Sequence, residues 1–280
     1  MFTAVRIVNT FPDYDLTIIA PSNRKNGASA AAGLMLNIIS EIDVISEEMK
    51  LTKWKLKNWE KALSKWDEFF SEKGMVLKKK IYTSSGTKIY FDNNSNNELE
   101  RKSFLKLKEI ADLYEAREKK SPNEEIILPN EHSVDARLAL NILDEFINSK
   151  ATIIDDYVEK IEQHINDFSL NLKSGNILKF DKVILAAGSK SSKVLENSNI
   201  NTDKIPSCLN GVGSALEIFS EFDYIKKLKT ESIYRSPNRG GTCGIHMVQR
   251  TNSIYIGASS VVTDKDLNFP RFGSVETLIK

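Results

Sequence analysis

The sequence predicts a mixed α/β fold in which a doubly wound parallel-sheet domain is discontinuous and a second domain is built on antiparallel strands. Three observations lead there. A short apolar strand, Leu16 to Ala20, runs through the polar turn Pro21 to Asn26 into a run almost without side chains, Gly27-Ala28-Ser29-Ala30-Ala31-Ala32-Gly33. A second apolar stretch far along the chain, Asp181 to Ser189, ends in Ala186-Ala187-Gly188. Between and after them lie short apolar segments bounded by turn residues, the spacing of hairpins and meanders.

Small residues at the carboxyl end of a parallel strand lie where open α/β sheets bind ligands. The same run also arises from close helix packing, because a residue with little or no side chain lets any backbone approach. A strand ending in Ala-Ala-Gly carries the same implication of a close approach at its end.

Composition narrows the class. The chain has 280 residues, of which 41% are hydrophobic and 28% charged, with a formal net charge of +1. That is a globular composition of one large or two modest domains. The near-zero charge gives no reason to expect nucleic acid or an anionic membrane as partner. Cys208 and Cys243 belong to no C-x-x-C pair, so neither a disulfide framework nor a metal site is expected, which suits a reducing cytoplasm. No apolar run reaches membrane-spanning length.

Taken in order, Met1 to Val8 reads as a helix with Ala4, Val5 and Val8 on one face and no capping residue before it. A helix followed by a strand is the second half of a β-α-β unit. The chain is therefore expected to be a fragment whose first strand precedes Met1. Ile38, Ile39, Ile42, Val44 and Ile45 lead into a helix from Glu47 to Lys73, with Leu51, Trp54, Trp59, Leu63, Trp66 and Phe70 near one face. Lys50, Lys53, Lys57 and Lys61 lie opposite, as a solvated face.

Met75 to Leu77 and Ile81-Tyr82, then Lys88 to Phe91, bracket Ser84-Ser85-Gly86-Thr87, the signature of a hairpin. Asp92 to Asn97 is a loop, and Arg101 to Lys119 an amphipathic helix with Phe104, Leu105, Ile110, Leu113 and Tyr114 inward. Asp135 to Asn148 is a further helix. Ala151 to Ile154 is a strand, and a meander follows through Tyr157 to Ile161, Phe168 to Leu172 and Ile177-Leu178. Asp181 to Ser189 reads as a central, buried parallel strand. Gly211 to Leu216, Ser232 to Arg235, Cys243 to Val248 and Ser253 to Gly257 are antiparallel strands, the last pair joined by Arg250-Thr251-Asn252. A helix begins at Ser274.

Three of these segments carry a resemblance in their order and spacing. Ser29 to Leu36 resembles the flavin segment, Phe180 to Ser189 the second flavin motif, and Cys243 to Ala258 the substrate-domain hairpin of the FAD-dependent amine and amino-acid oxidase superfamily, which includes D-amino acid oxidase, sarcosine oxidase and glycine oxidase. The resemblance implies a discontinuous, Rossmann-like FAD-binding domain over 1–46 and 129–204. It implies a substrate domain over 47–128 and 205–265, with 266–280 starting a return to the first domain. Gly27, Ala28 and Ser29 would lie along the FAD backbone, and Ala32, Gly33 and Leu34 would pass the isoalloxazine ring. Val158 would present its backbone to adenine, and Ala187 and Gly188 would let the strand end approach the dinucleotide.

His246 falls where glycine oxidase carries a substrate-pocket tyrosine. It either faces that pocket or is satisfied within the hairpin. Arg239 and Arg250 could pair a carboxylate bidentately, although a surface position is the commoner one for arginine; Cys208 and Cys243 read as inert buried thiols.

The implied partner is a small-molecule amine or amino acid, with no nucleic acid, membrane or metal. The family's G-x-G-x-x-G turn is absent, Ala20 stands where the ribose-binding acidic residue would be, and the carboxylate-binding arginine would lie beyond Lys280. Two functions follow. One is an oxidase that takes hydride from the carbon beside an amine nitrogen and passes the electrons to oxygen. The other is a partial chain with the fold but no flavin, acting as a binding or assembly module.

Overall fold

The computed structural model describes residues 1–22, 27–48, 50–71, 81–92, 96–111, 117–119, 124–203, 205, 210–219, 231–238, 244–259 and 261–263. In chain order its first elements are α1 (Phe2–Thr10), β1 (Thr17–Ile19), α2 (Ala28–Ala31), β2 (Met35–Leu36), α3 (Val44–Glu48), α4 (Thr52–Ser71), β3 (Tyr82–Phe91), α5 (Glu98–Ala111), β4 (Arg117–Lys119) and β5 (Glu124–Val134). There follow α6 (Ala136–Asn148), β6 (Thr152–Ile154), β7 (Val158–Gln163), β8 (Phe168–Leu172), β9 (Ile177–Phe180) and α7 (Ser191–Glu196). The last strands are β10 (Asn210–Val212), β11 (Ala215–Phe219), β12 (Ile233–Arg235), β13 (His246–Gln249), β14 (Ser253–Gly257) and β15 (Val261–Thr263). This is the expected mixed α/β fold.

The chain divides into two units. One comprises Met1–Ala30, Leu140–Gly211 and Val262–Asp266, and the other contains Ala31–Ala139 and Val212–Val261.

In the first unit β1 pairs in parallel with β6, placing Ile18 opposite Ile153. The meander β7-β8-β9 forms a separate antiparallel sheet. Ile161, Leu170, Leu172 and Val194 are its buried centre, with Ile19, Ile154 and Val158 packed against them. The stretch expected to be a central strand differs. Asp181 to Ala187 forms no ladder among the described residues. Val183 and Leu185 turn inward to the meander core, while Ile184 is 62% exposed. The inward and outward alternation of a strand is present, but a ladder also needs a neighbour, and among the described residues β1 and β6 pair only with each other.

The second unit is organised by an eight-stranded sheet in the order β11-β14-β13-β12-β3-β5-β2, with β4 added to β5. It is antiparallel apart from the β12–β3 pair. One core joins helix α5 to β3 and β5, through Phe104 and Leu107 against Ile89, Phe91, Ile126 and Leu128. The Phe91 and Phe104 rings stack at 5.2 Å.

Here the expected hairpin at Ser84 to Thr87 is replaced by one unbroken ten-residue strand. Gly86 has φ +78°, and the register slips between Ser85 and Thr87. The glycine serves a bulge, not a reversal, because the eleven-residue β5 runs alongside the whole of β3.

The helix expected over Arg101 to Lys119 starts earlier, where Asn97 Oδ1 accepts from the Glu100 N–H at 3.1 Å. Its described part ends at Ala111, and Arg117–Lys119 is strand β4 on β5. Leu105 is 47% exposed, against its expected inward position.

The long helix begins at Thr52, after the separate α3 and a left-handed Lys50 (φ +56°). Trp54 is 64% exposed, so the aromatic positions do not share one buried face. Asp135 caps α6, its Oδ1 accepting from the Leu138 N–H at 3.0 Å. Met75 to Leu77, Leu113, Tyr114, Cys208, Arg239, Cys243 and Ser274 to Lys280 lie outside the described residues, as does the Phe70 side chain. Among the described residues, no helix is long and apolar enough to cross a membrane.

Candidate functional site

The site in the second unit is built on the β13–β14 hairpin. Antiparallel register sets His246 opposite Gly257 and Val248 opposite Tyr255. With Arg250 and Ser253 these residues are buried and share one face by strand alternation; Ile254, also buried, lies on the other face. β11 extends the same face by placing Glu217 opposite Tyr255, and β12 by placing Arg235 opposite His246.

The small-residue segment meets this face at Gly33. A Cβ on Gly33 would lie 3.1 Å from His246 Nε2 and 3.2 Å from Tyr255 Cε1. Only glycine allows that approach without displacement. The His246 and Tyr255 rings are themselves stacked, with centroids 5.4 Å apart. Next along, Leu34 has φ +39°, a left-handed conformation that is strained for a bulky residue. It is held there by its carbonyl, which accepts from the Val134 N–H at 3.1 Å.

His246 Nδ1 lies 3.2 Å from the Gly244 carbonyl. A carbonyl can only accept, so Nδ1 carries the proton. Burial, and then the positive charge of Arg235, lower the ring's pKa to about 4. The imidazole is therefore neutral near pH 7, with a bare acceptor at Nε2.

Arg235 lies in the adjacent register row. It is buried, and its Nη1 donates to Glu41 Oε1 at 2.6 Å and to Ser40 Oγ at 3.1 Å. Its Nη2 donates to Asn238 Oδ1 at 2.6 Å. Burial alone would raise the Glu41 pKa, but the charge and hydrogen bonds of Arg235 outweigh it and lower the net value. Glu131, fully buried, goes the other way. Its Oε1 accepts from the Ser40 and Ile38 N–H groups at 2.9 and 3.2 Å, yet burial pushes its pKa up.

Arg250, read as a carboxylate partner or, more commonly for an arginine, a surface residue, is buried. Its Nη2 donates to the carbonyls of Ala31 and Ala32 at 3.0 and 2.8 Å. Its Nη1 pairs with Glu217 Oε1 at 3.0 Å, and the guanidinium lies 4.8 Å from the Tyr255 ring centroid. Glu217 also takes both amino groups of Arg137, at 2.9 and 2.7 Å, and the Ser253 hydroxyl at 2.6 Å. Burial opposes its ionisation, but these donors lower its pKa to about 2.

Sequence reasoning missed the roles of Arg250, Glu217 and Tyr255. The signal available was the hairpin's alternation, which puts Arg250 on the inward row with His246 and Val248.

The other candidates are described each in place. Gly27, Ala28 and Ser29 are exposed and open α2, whereas Ala30 is buried. Ala32 is half-buried. Val158 packs its side chain into the meander core and pairs with Leu172. Ala187 and Gly188 are exposed; Gly188 has φ +59°, and nothing lies within 4 Å of a Cβ built on it. Gly33 and His246 are the pair brought into direct contact.

No protein-family model matches the sequence, and no curated protein matches it. Solved structures do. Glycine oxidase from Geobacillus kaustophilus superposes with a TM-score of 0.66 at 16% identity, over 99% of this chain and 72% of that one. Iminodiacetate oxidase from Chelativorans gives 0.65 at 16% identity, over 99% and 73%. L-α-Glycerophosphate oxidase from Mycoplasma pneumoniae, with FAD bound, gives 0.63 at 14% identity, over 94% and 70%. The chain has the fold of these oxidases.

Proposed function

We propose that this chain is an FAD-dependent oxidoreductase that oxidises the C–N bond of an amine or amino acid, with molecular oxygen as the electron acceptor. The observation that carries the reading is the contact of Gly33 with the His246–Tyr255 stack. It holds a segment nearly free of side chains against the inward face of an antiparallel sheet. The fold shared with oxidases named for glycine and iminodiacetate supports the same reading. In it, 1–46 and 129–204 form the FAD-binding part and 47–128 and 205–265 the substrate-binding part.

FAD, when bound, supplies a two-electron acceptor for hydride from the carbon beside a substrate nitrogen. The chain's own residues bind and orient. Gly27, Ala28 and Ser29 would hold the dinucleotide's backbone, with Val158, Ala187 and Gly188 on its other contacts. Ala32, Gly33 and Leu34 would offer main-chain N–H groups to the ring's polar edge. His246, neutral and bare at Nε2, would accept a hydrogen bond from a substrate N–H.

The test is reconstitution. The protein, carrying whatever sequence precedes Met1 and follows Lys280, is purified, incubated with excess FAD, desalted, and assayed for flavin absorbance and for hydrogen peroxide with a panel of amines and amino acids. Retained flavin and substrate-dependent peroxide are expected. A colourless protein after desalting refutes the cofactor, and a yellow protein that produces no peroxide from any of them refutes the reaction.

A further inference from the structure

We propose that Arg250 is the positioning residue that sets the peptide planes of Ala31 to Gly33, and thereby aims the Gly33 N–H at the flavin. This rests on the FAD reading above.

The argument begins with the planar trans peptide, in which C=O and N–H point in opposite directions. The Ala32 carbonyl accepts from Arg250 Nη2 at 2.8 Å. The N–H in that same plane belongs to Gly33, so it is turned away from the guanidinium. The Ala31 carbonyl, at 3.0 Å from the same nitrogen, fixes the preceding plane. The Leu34 carbonyl is anchored separately by the Val134 N–H. Gly33 thus sits between captured carbonyls, and its own N–H has no partner among the described residues.

The clamp is itself held. Glu217 takes Arg250 Nη1, and Arg137 and Ser253 hold Glu217. A planar guanidinium with fixed donors can serve two carbonyls and a carboxylate at once, which a lysine ammonium on a flexible stem does less well.

The full-length chain is compared as wild type, Arg250→Ala and Arg250→Lys, with Glu217→Gln as a variant that loosens the clamp without removing it. Hydrogen exchange over residues 30–36 is measured in the flavin-free protein, with circular dichroism and β13–β14 exchange as checks on folding. Exchange over 30–36 should speed by about tenfold in Arg250→Ala and less in the other two. FAD affinity, read by flavin fluorescence, should fall about tenfold, equivalent to about 1.4 kcal/mol. The shape of the flavin absorption band should change in Arg250→Ala and be partly restored by Arg250→Lys.

Unchanged exchange over 30–36 in a folded Arg250→Ala protein overturns the positioning role, whether or not FAD binds. Where the wild type binds FAD, unchanged affinity and band shape in Arg250→Ala overturn its connection to the flavin. A wild type that binds no FAD overturns the functional reading and the aim toward the flavin, while the exchange result still decides the clamp.

Discussion

Gly33 approaches the His246 imidazole so closely that the first atom of any side chain on it would lie 3.1 Å from Nε2, with Tyr255 Cε1 at 3.2 Å. Both neighbours are buried, so they cannot swing out to make room. Gly33→Ala should destabilise the protein by about 1–3 kcal/mol, as overpacking does. In a His246→Ala background the cost should fall by at least about 0.5 kcal/mol, a coupling between neighbours. Urea melts of the four proteins measure it, and strict additivity would show that the two residues do not touch.

His246 makes stability depend on pH with a definite sign. Its folded pKa is about 4 against an ordinary 6.5. On acidification the unfolded chain therefore takes up this proton first, and folding weakens as pH drops from about 6.5 towards 4. The slope attributable to one such group is at most about 1.4 kcal/mol per pH unit. Denaturant melts across that range should show the component in the wild type and its absence in His246→Gln. Equal slopes in the two proteins would mean the ring is not held neutral by its surroundings.

Much of the frame was legible in residue order, and the misses share a cause. The strand Ser253–Gly257 and the Asp135-capped helix are set by local pattern, and both appear where the sequence places them. Gly86 was legible as a positive-φ position, but a turn and a bulge both use one, and the choice was made by β5 alongside. Asp181 to Ala187 has the composition of a central strand, but strand status is a property of the neighbour as well as the segment. Arg250 follows a strand in a turn, where arginines are usually solvated; its burial depends on Glu217, thirty-three residues earlier (250 minus 217) and brought near by β11 pairing with β14. Contacts fixed by distant chain are those that periodicity cannot supply.

Removing Glu217 should cost far more than removing its exposed partner Arg137. Arg250 is buried, whereas the Arg137 side chain is 51% exposed. Arg137→Ala removes an exposed pair and should cost less than about 1 kcal/mol. Glu217→Ala strands the buried guanidinium and should cost about 3 kcal/mol or more. Because the folded Glu217 pKa is about 2, its contribution is present above its ordinary carboxylate range and is lost only as pH falls through that value. Chemical denaturation at pH 7 compares the variants, and similar costs would remove Glu217 as the holder of Arg250.

Glu131 should hold its proton to higher pH than an ordinary glutamate. Burial raises its pKa, so above the ordinary carboxylate range the unfolded chain releases this proton more readily, and stability falls as pH rises. Glu131→Gln keeps an acceptor for the Ser40 and Ile38 N–H groups and has nothing to ionise. It should match or exceed wild type at pH 7 and lose part of the wild type's decline as pH rises above the ordinary carboxylate range. A variant markedly weaker at pH 7 would show that the charged form is needed.

The unladdered stretch Asp181 to Ala187 has a consequence for handling the protein. A stretch of chain that joins no ladder among the described residues is a template on which another chain can add. Ile184, 62% exposed in the middle of it, supplies an adhesive side chain. Lys182 beside it is the kind of charge that discourages such docking. The expected outcome is self-association that grows with protein concentration, visible as a rising mean mass in light scattering. Ile184→Lys should abolish the rise without lowering the melting temperature, and an unchanged concentration dependence would place the sticky edge elsewhere.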